Sequence, residues 1–169
     1  MELGVRDYLL KPYSESDLTS AVSKAVTALE NRWLLGRMKL DKLLLSQEPE
    51  EIAPECFEQA GFPRPPALIQ AVRLSPPLSK ETALPFIWSY LTLNGELLLF
   101  AGNQETFGQW RKAQSVFLGV SLPGALNAER LRQAARALQI ARLDSQSRTA
   151  FYSEAMTNDQ MLKQNNPVL

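Results

Sequence analysis

The residue types that most often carry catalysis are nearly missing from this chain. Among its 169 residues there is no histidine and only one cysteine, Cys56. Without imidazole there can be no Ser-His-Asp or Cys-His nucleophile and no His-based metal site. A lone thiol also leaves structural zinc without ligands, so neither a metal nor a cofactor is expected. Cys56 cannot form an intramolecular disulfide and reads as a small, partly buried hydrophobe, which fits a reducing cytosol. Carboxylates and cationic side chains balance at 18 each. That balance gives no electrostatic reason to expect a nucleic acid or an anionic membrane as partner. Arg132, Arg136 and Arg142 share one predicted helix, but Glu129 and Asp144 stand beside them, and the set reads as a solvated face. No apolar run approaches the ~18 residues that span a bilayer, and the first residues carry no signal-peptide pattern. A cytoplasmic, non-enzymatic chain is expected.

Hydrophobic residues make up 45% and charged residues 21%, ordinary proportions for a chain with a core. Ser14 is a good N-cap with Asp17 three residues on, a loose capping box. A long helix follows, from about Glu15 to Leu45. Its apolar positions Val22, Val26, Leu29, Trp33, Leu40 and Leu43, with Gly36 in the remaining slot, alternate by four and three as a heptad seam does. Such a stripe serves either a second copy or the helix's own domain. Gly36 marks a helix break or a close approach of two helices. From Gln47 to Pro66 prolines and glutamates punctuate a connector, with a short helix over roughly Pro54 to Ala60 ended by Gly61. Pro63-Arg64-Pro65-Pro66 reads as a linker rather than a polyproline ligand.

From Ala67 the pattern changes. Strands are expected at Ala67–Leu74, Phe86–Leu93, Glu96–Ala101, Val116–Ser121 and Thr149–Tyr152. Helices are expected at Gln104–Gln114 and from the cap Asn127 to about Leu143, with Leu126 and Leu131 at staple spacing. Ser79–Leu84 reads as a helical turn or a short helix. Asn94-Gly95 between apolar runs predicts a hairpin with a type I′ turn. The fold class is α+β: a long linker helix, then a mixed sheet with helices mainly on one face.

Two stretches resemble known families. Leu3-Gly4-Val5-Arg6-Asp7-Tyr8-Leu9-Leu10-Lys11-Pro12-Tyr13, with Asp17-Leu18 and a helix after it, resembles the end of a response-regulator receiver domain. The resemblance implies that Lys11 matches the lysine that contacts the phosphorylated aspartate. It implies that Tyr8 matches the aromatic that changes rotamer, and that the Lys11–Pro12 peptide is cis. An ammonium group suits a doubly charged phosphoryl group. The acidic pair, the phosphoacceptor aspartate and the Ser or Thr of a receiver precede this stretch in the family and have no counterpart here. This chain is therefore not expected to be phosphorylated by that route.

The second stretch is Gln70-Ala71-Val72-Arg73-Leu74, Gly95-Glu96-Leu97-Leu98-Leu99-Phe100, Leu118-Gly119-Val120-Ser121, Leu131 to Ala141 and Phe151-Tyr152. As an ordered set it is similar to the middle domain of AraC-type two-component response regulators, itself related to degenerate GGDEF domains with a ferredoxin-like core. Where a diguanylate cyclase carries its signature, this chain reads Leu93-Asn94-Gly95-Glu96-Leu97. Where it carries a metal-binding aspartate, this chain has the region Arg73-Leu74-Ser75. Two-metal phosphoryl chemistry needs carboxylates at both places, so cyclase activity is not expected.

The resulting organisation is a receiver remnant over 1–30, a helical linker and Pro-rich connector over 31–66, a degenerate GGDEF-like domain over 67–153 and a tail over 154–169. The expected function is a signalling segment of a transcriptional response regulator, relaying receiver state through the helix to the middle domain. A sensor kinase would be a partner only of a full-length protein. No helix-turn-helix pair fits after Tyr152, so DNA binding by this chain is not expected. A homodimer is the expected oligomer. The alternative function is a small-molecule-binding sensory domain.

Overall fold

The computed structural model describes residues 11–46, 52–79, 81–144 and 147–153. The part of the receiver-like stretch before Lys11, with Tyr8, and the tail 154–169 lie outside the described residues. The first element, α1, runs Glu15–Leu45, over the span expected. Its start is a full capping box: Asp17 N–H donates to Ser14 Oγ at 3.2 Å, and Ser14 N–H donates to the Asp17 carboxylate at 2.9 Å. The Ser14 hydroxyl, donating to the same carboxylate at 2.7 Å, and then the Ser14 N–H hold the Asp17 carboxyl below the ordinary carboxylate range. A short helix α2 (Glu55–Gln59) follows, and Gly61 after it sits at φ 78°, the left-handed conformation that ends helices.

Five strands form one sheet: β1 (Gln70–Ser75), β2 (Trp88–Leu91), β3 (Leu97–Ala101), β4 (Phe117–Val120) and β5 (Thr149–Phe151). Their order is β2-β3-β1-β4-β5. The β1–β3, β1–β4 and β2–β3 pairs are antiparallel, and β4–β5 is parallel. Helix α3 (Gln104–Lys112) links β3 to β4, and α4 (Ala128–Leu143) links β4 to β5. Asn103 and Asn127 cap them, each side chain accepting from the backbone N–H three residues on. The sheet is mixed and the chain α+β, with one long helix ahead of the sheet.

Alternation along the strands feeds two cores. One face carries Ala71, Tyr90, Leu97 and Leu99 against Leu40 and Leu44 of α1, Phe57 of α2, and Leu131 and Ala134 of α4. The other carries Val72, Leu98, Phe100 and Leu118 against Phe107 and Trp110 of α3. Three helices therefore cover one face and one covers the other. Gly119 on β4 lies where α4 comes closest, and a Cβ there would overlap the backbone of Ala134 and Leu138.

One local expectation changes. The β2–β3 hairpin forms at Asn94-Gly95, but its turn is not type I′, because among the described residues no non-glycine has positive φ. Gly95 alone is left-handed, at φ 71°, and Gly95 N–H donates to Thr92 C=O at 2.9 Å. The Asn94 side chain accepts from Glu96 N–H at 3.2 Å and from the Thr92 hydroxyl at 2.8 Å. That Asx-type bonding holds Asn94 at negative φ, and a four-residue turn with a left-handed glycine results. Of the two options open at Ser79–Leu84, the described residues carry the turn, closed by Thr82 N–H to Ser79 C=O at 3.1 Å.

Candidate functional site

The heptad stripe of α1 divides in two. Val22, Val26, Leu29 and Trp33 are 40–54% exposed, whereas Leu40 is 1% exposed. Leu43 is half-buried. Leu40 sits in the same core as Phe57 and Tyr90, so this seam position is filled by the chain's own domain and closed to a second helix. Gly36 marks the close approach of two helices and breaks nothing. A Cβ on it would fall 2.9 Å from Ala60 Cα and 2.8 Å from the Gln59 carbonyl carbon. The residues expected as connector supply core as well: Ile52, Phe57 and Ala60 are all buried.

A polar joint fixes the buried end of α1 to the sheet. Asp41 is 7% exposed. One of its carboxylate oxygens accepts from the Tyr90 hydroxyl at 2.7 Å and the other from Leu93 N–H at 2.6 Å. One helical turn earlier, Arg37 donates to Leu91 C=O at 3.1 Å. Its guanidinium lies 5.0 Å from the Phe62 ring centroid and 5.7 Å from that of Tyr90, within cation–π reach. Phe62 and Phe57 meet the Tyr90 ring edge-on at 4.7 and 5.3 Å. Thr92 N–H bonds inward to Leu97 C=O, so the backbone groups of Leu91 and Leu93 point away from β3. Arg37 and Asp41, spaced four apart on one helix face, therefore satisfy Leu91 C=O and Leu93 N–H on the side of the β2 edge that has no neighbouring strand.

Burial, then the hydrogen bond to Asp41, push the Tyr90 phenol above its ordinary range. The neutral phenol is the form the fold favours. The stability it contributes is fully present below the unfolded tyrosine value of about 10 and is lost as pH rises toward the higher folded value. Urea midpoints should accordingly fall between about pH 9 and about pH 11, and more steeply than in Tyr90→Phe, which lacks the titrating group. Parallel slopes in the two proteins would refute the linkage.

Of the receiver-type residues, Lys11 and Pro12 are exposed just ahead of α1, and the peptide between them is cis. Tyr8 lies outside the described residues. On β1, Arg73 is half-buried and burial lowers its guanidinium pKa, with the Glu96 carboxylate acting in the opposite direction. No group of three or more potential metal ligands occurs among the described residues. Among them, too, no helix is long and apolar enough to cross a membrane.

The sequence reading did not single out Arg37, Asp41 or Tyr90. The available signal was a charge four residues after another on the flank of an apolar stripe, with Asp41 set directly between Leu40 and the run Leu43-Leu44-Leu45. No family model, curated protein or solved structure matches the chain.

Proposed function

We propose that this chain is a non-catalytic relay segment of a two-component transcriptional response regulator, in which α1 carries the state of a receiver into a degenerate GGDEF-like domain. One observation supports the reading above the others. A single uninterrupted helix starts at an exposed Lys-Pro turn, projects an uncovered apolar stripe, and ends fastened in the core of a separate sheet by Arg37 and Asp41. A rigid helix with one exposed end and one clamped end converts a tilt or rotation at the exposed end into a force on β2. The order β2-β3-β1-β4, antiparallel at each of its three pairings, is that of a split βαβ core and supports the ferredoxin-like reading. The residues Arg73 and Glu96, one basic and one acidic, at the places where the resemblance would put metal-binding carboxylates support the absence of cyclase chemistry. The chain works as a cytoplasmic homodimer, without a cofactor, and leaves DNA binding to other parts of a longer protein.

The test is a fusion of a complete receiver to this chain through the Lys11–Pro12 turn, compared with and without acetyl phosphate. Activation should change amide hydrogen exchange across Tyr90–Leu93. Unchanged exchange there, with the receiver demonstrably phosphorylated, would refute the relay. Cyclic dinucleotide formed from GTP and Mg²⁺ would refute the non-catalytic assignment. A thermal shift with a member of a metabolite panel would favour the small-molecule sensor instead.

A further inference from the structure

The projecting part of α1 cannot be a self-sufficient helix. Ser20, Ser23 and Thr27, with the β-branched Val22 and Val26, are poor helix formers, and isolated helices of this length are marginal in water. Yet Leu18, Val22, Val26, Leu29 and Trp33 are 40–54% exposed. At 100° per residue the stripe through Val22, Val26, Leu29 and Trp33 is the same face that carries Leu40 and Leu44 into the core. Each chain's own domain therefore stands on that face beyond Trp33, where the ring already rests on Gly61.

The geometry points to an antiparallel homodimer in which the stripes of two α1 helices pair over Glu15–Trp33. This deepens the dimer included in the reading above and rests on it. In a parallel pair both domains would claim the same space between the helices, at Gly36 to Leu44 of each. In an antiparallel pair each domain stands beyond the N-terminus of the other helix, and the first turn of one copy ends at the shoulder formed by Trp33 and Gly61 of the other. The overlap is about 27 Å long. Val22 meets Val26 of the second copy on either side of the two-fold axis, and Leu29 meets Thr19. The bulky residue is thus set against the smaller one, as interdigitating layers require. Trp33 falls opposite Glu15, away from its own counterpart. Charge agrees: the acidic first turn, Glu15 and Asp17, comes beside Arg32 of the second copy, whereas a parallel pair stacks like on like. The macrodipoles are opposed as well.

Cross-linking of the full chain in a Cys56→Ser background separates the arrangements, using a short bis-maleimide on exposed positions. Ala25→Cys, beside the axis, should cross-link to itself. Ser16→Cys and Glu30→Cys should each fail alone and give a heterodimer when mixed. Self-cross-linking of both Ser16→Cys and Glu30→Cys, with no gain on mixing, would mean a parallel pair and overturn this proposal while leaving the dimer intact. A wild-type monomer by sedimentation equilibrium, without cross-links, would overturn both. Val26→Asp should abolish the dimer, and Leu35→Asp, on the opposite exposed side of α1, should leave it. The reverse pattern would move the interface to Leu34, Leu35 and Met38 and overturn the pairing proposed.

Discussion

Replacing Asp41 with alanine lowers the stability of the protein by about 3 kcal/mol, because a buried donor, the Tyr90 hydroxyl, and a partly buried one, Leu93 N–H, lose their acceptor together. Each unsatisfied buried group costs about 1–3 kcal/mol, and the Tyr90 hydroxyl, the more deeply buried of the two, carries the larger share. For a domain of this size the loss corresponds to roughly 6–12 °C in melting temperature. Asp41→Asn recovers little: one amide oxygen can serve Tyr90, but the amide N–H₂ then faces the Leu93 N–H. Tyr90→Phe removes one donor without stranding the carboxylate, which keeps Leu93, and costs about 1–2 kcal/mol. Urea denaturation of the two single mutants and the double mutant should give a coupling energy of at least about 1 kcal/mol. Additive losses would mean that the two side chains do not act as a joint.

Gly119→Ala should be at least as damaging, although it adds one methyl group. The new Cβ overlaps backbone atoms of α4, at Ala134 and Leu138, so no rotamer change can relieve it. Helix α4 must move off β4, and with it the packing of buried Ala134, Ala137 and Ala141. Overpacking of side chains costs about 1–3 kcal/mol, and a clash against backbone belongs at or above the top of that range. Gly108→Ala is the matched control. Nothing lies within 4 Å of a Cβ at that position inside α3, so the substitution should stabilise the helix by about 0.5–1 kcal/mol. Thermal melts of the two variants should shift in opposite directions. Two downward shifts would show that α3 does not tolerate a side chain there. Two unchanged melts would show that the contact of α4 with β4 is looser than described.

The elements were legible because each is announced locally. Ser14 with Asp17, Asn103 and Asn127 all cap the helices they precede, and the apolar run Leu97–Ala101 after Asn94-Gly95 marks a strand. The position of the hairpin was legible from Asn94-Gly95, but its turn type was not. A side-chain bond from Thr92 and Glu96 to Asn94 decides the φ of that residue, and dipeptide preference does not register such a bond. The joint was illegible for a different reason. A charged residue inside a helix reads as surface, and the partners of Asp41 lie 49 and 52 residues away. Helical periodicity likewise cannot say what covers a stripe. The same four-three spacing serves Leu40, packed in its own core, and Val22, exposed on the projecting half of the helix. Ile52, Phe57 and Ala60 were hidden by the prolines and glutamates around them, which make a core segment look like a spacer.

The cap that Arg37 and Asp41 place over β2 bears on where this protein can be cut. Composition puts the boundary of the sheet domain near Pro66, and a fragment begun there would contain all five strands of the described sheet. It would also strip the outer rim of β2, leaving Leu91 C=O and Leu93 N–H unpaired beside Tyr90, on a strand free to recruit another chain. Such rims seed edge-to-edge aggregation. A fragment begun near Glu30 keeps the last turns of α1 and with them the guard on that rim. The terminal third of the helix is thus a solubility element of the sheet, whatever its exposed end transmits.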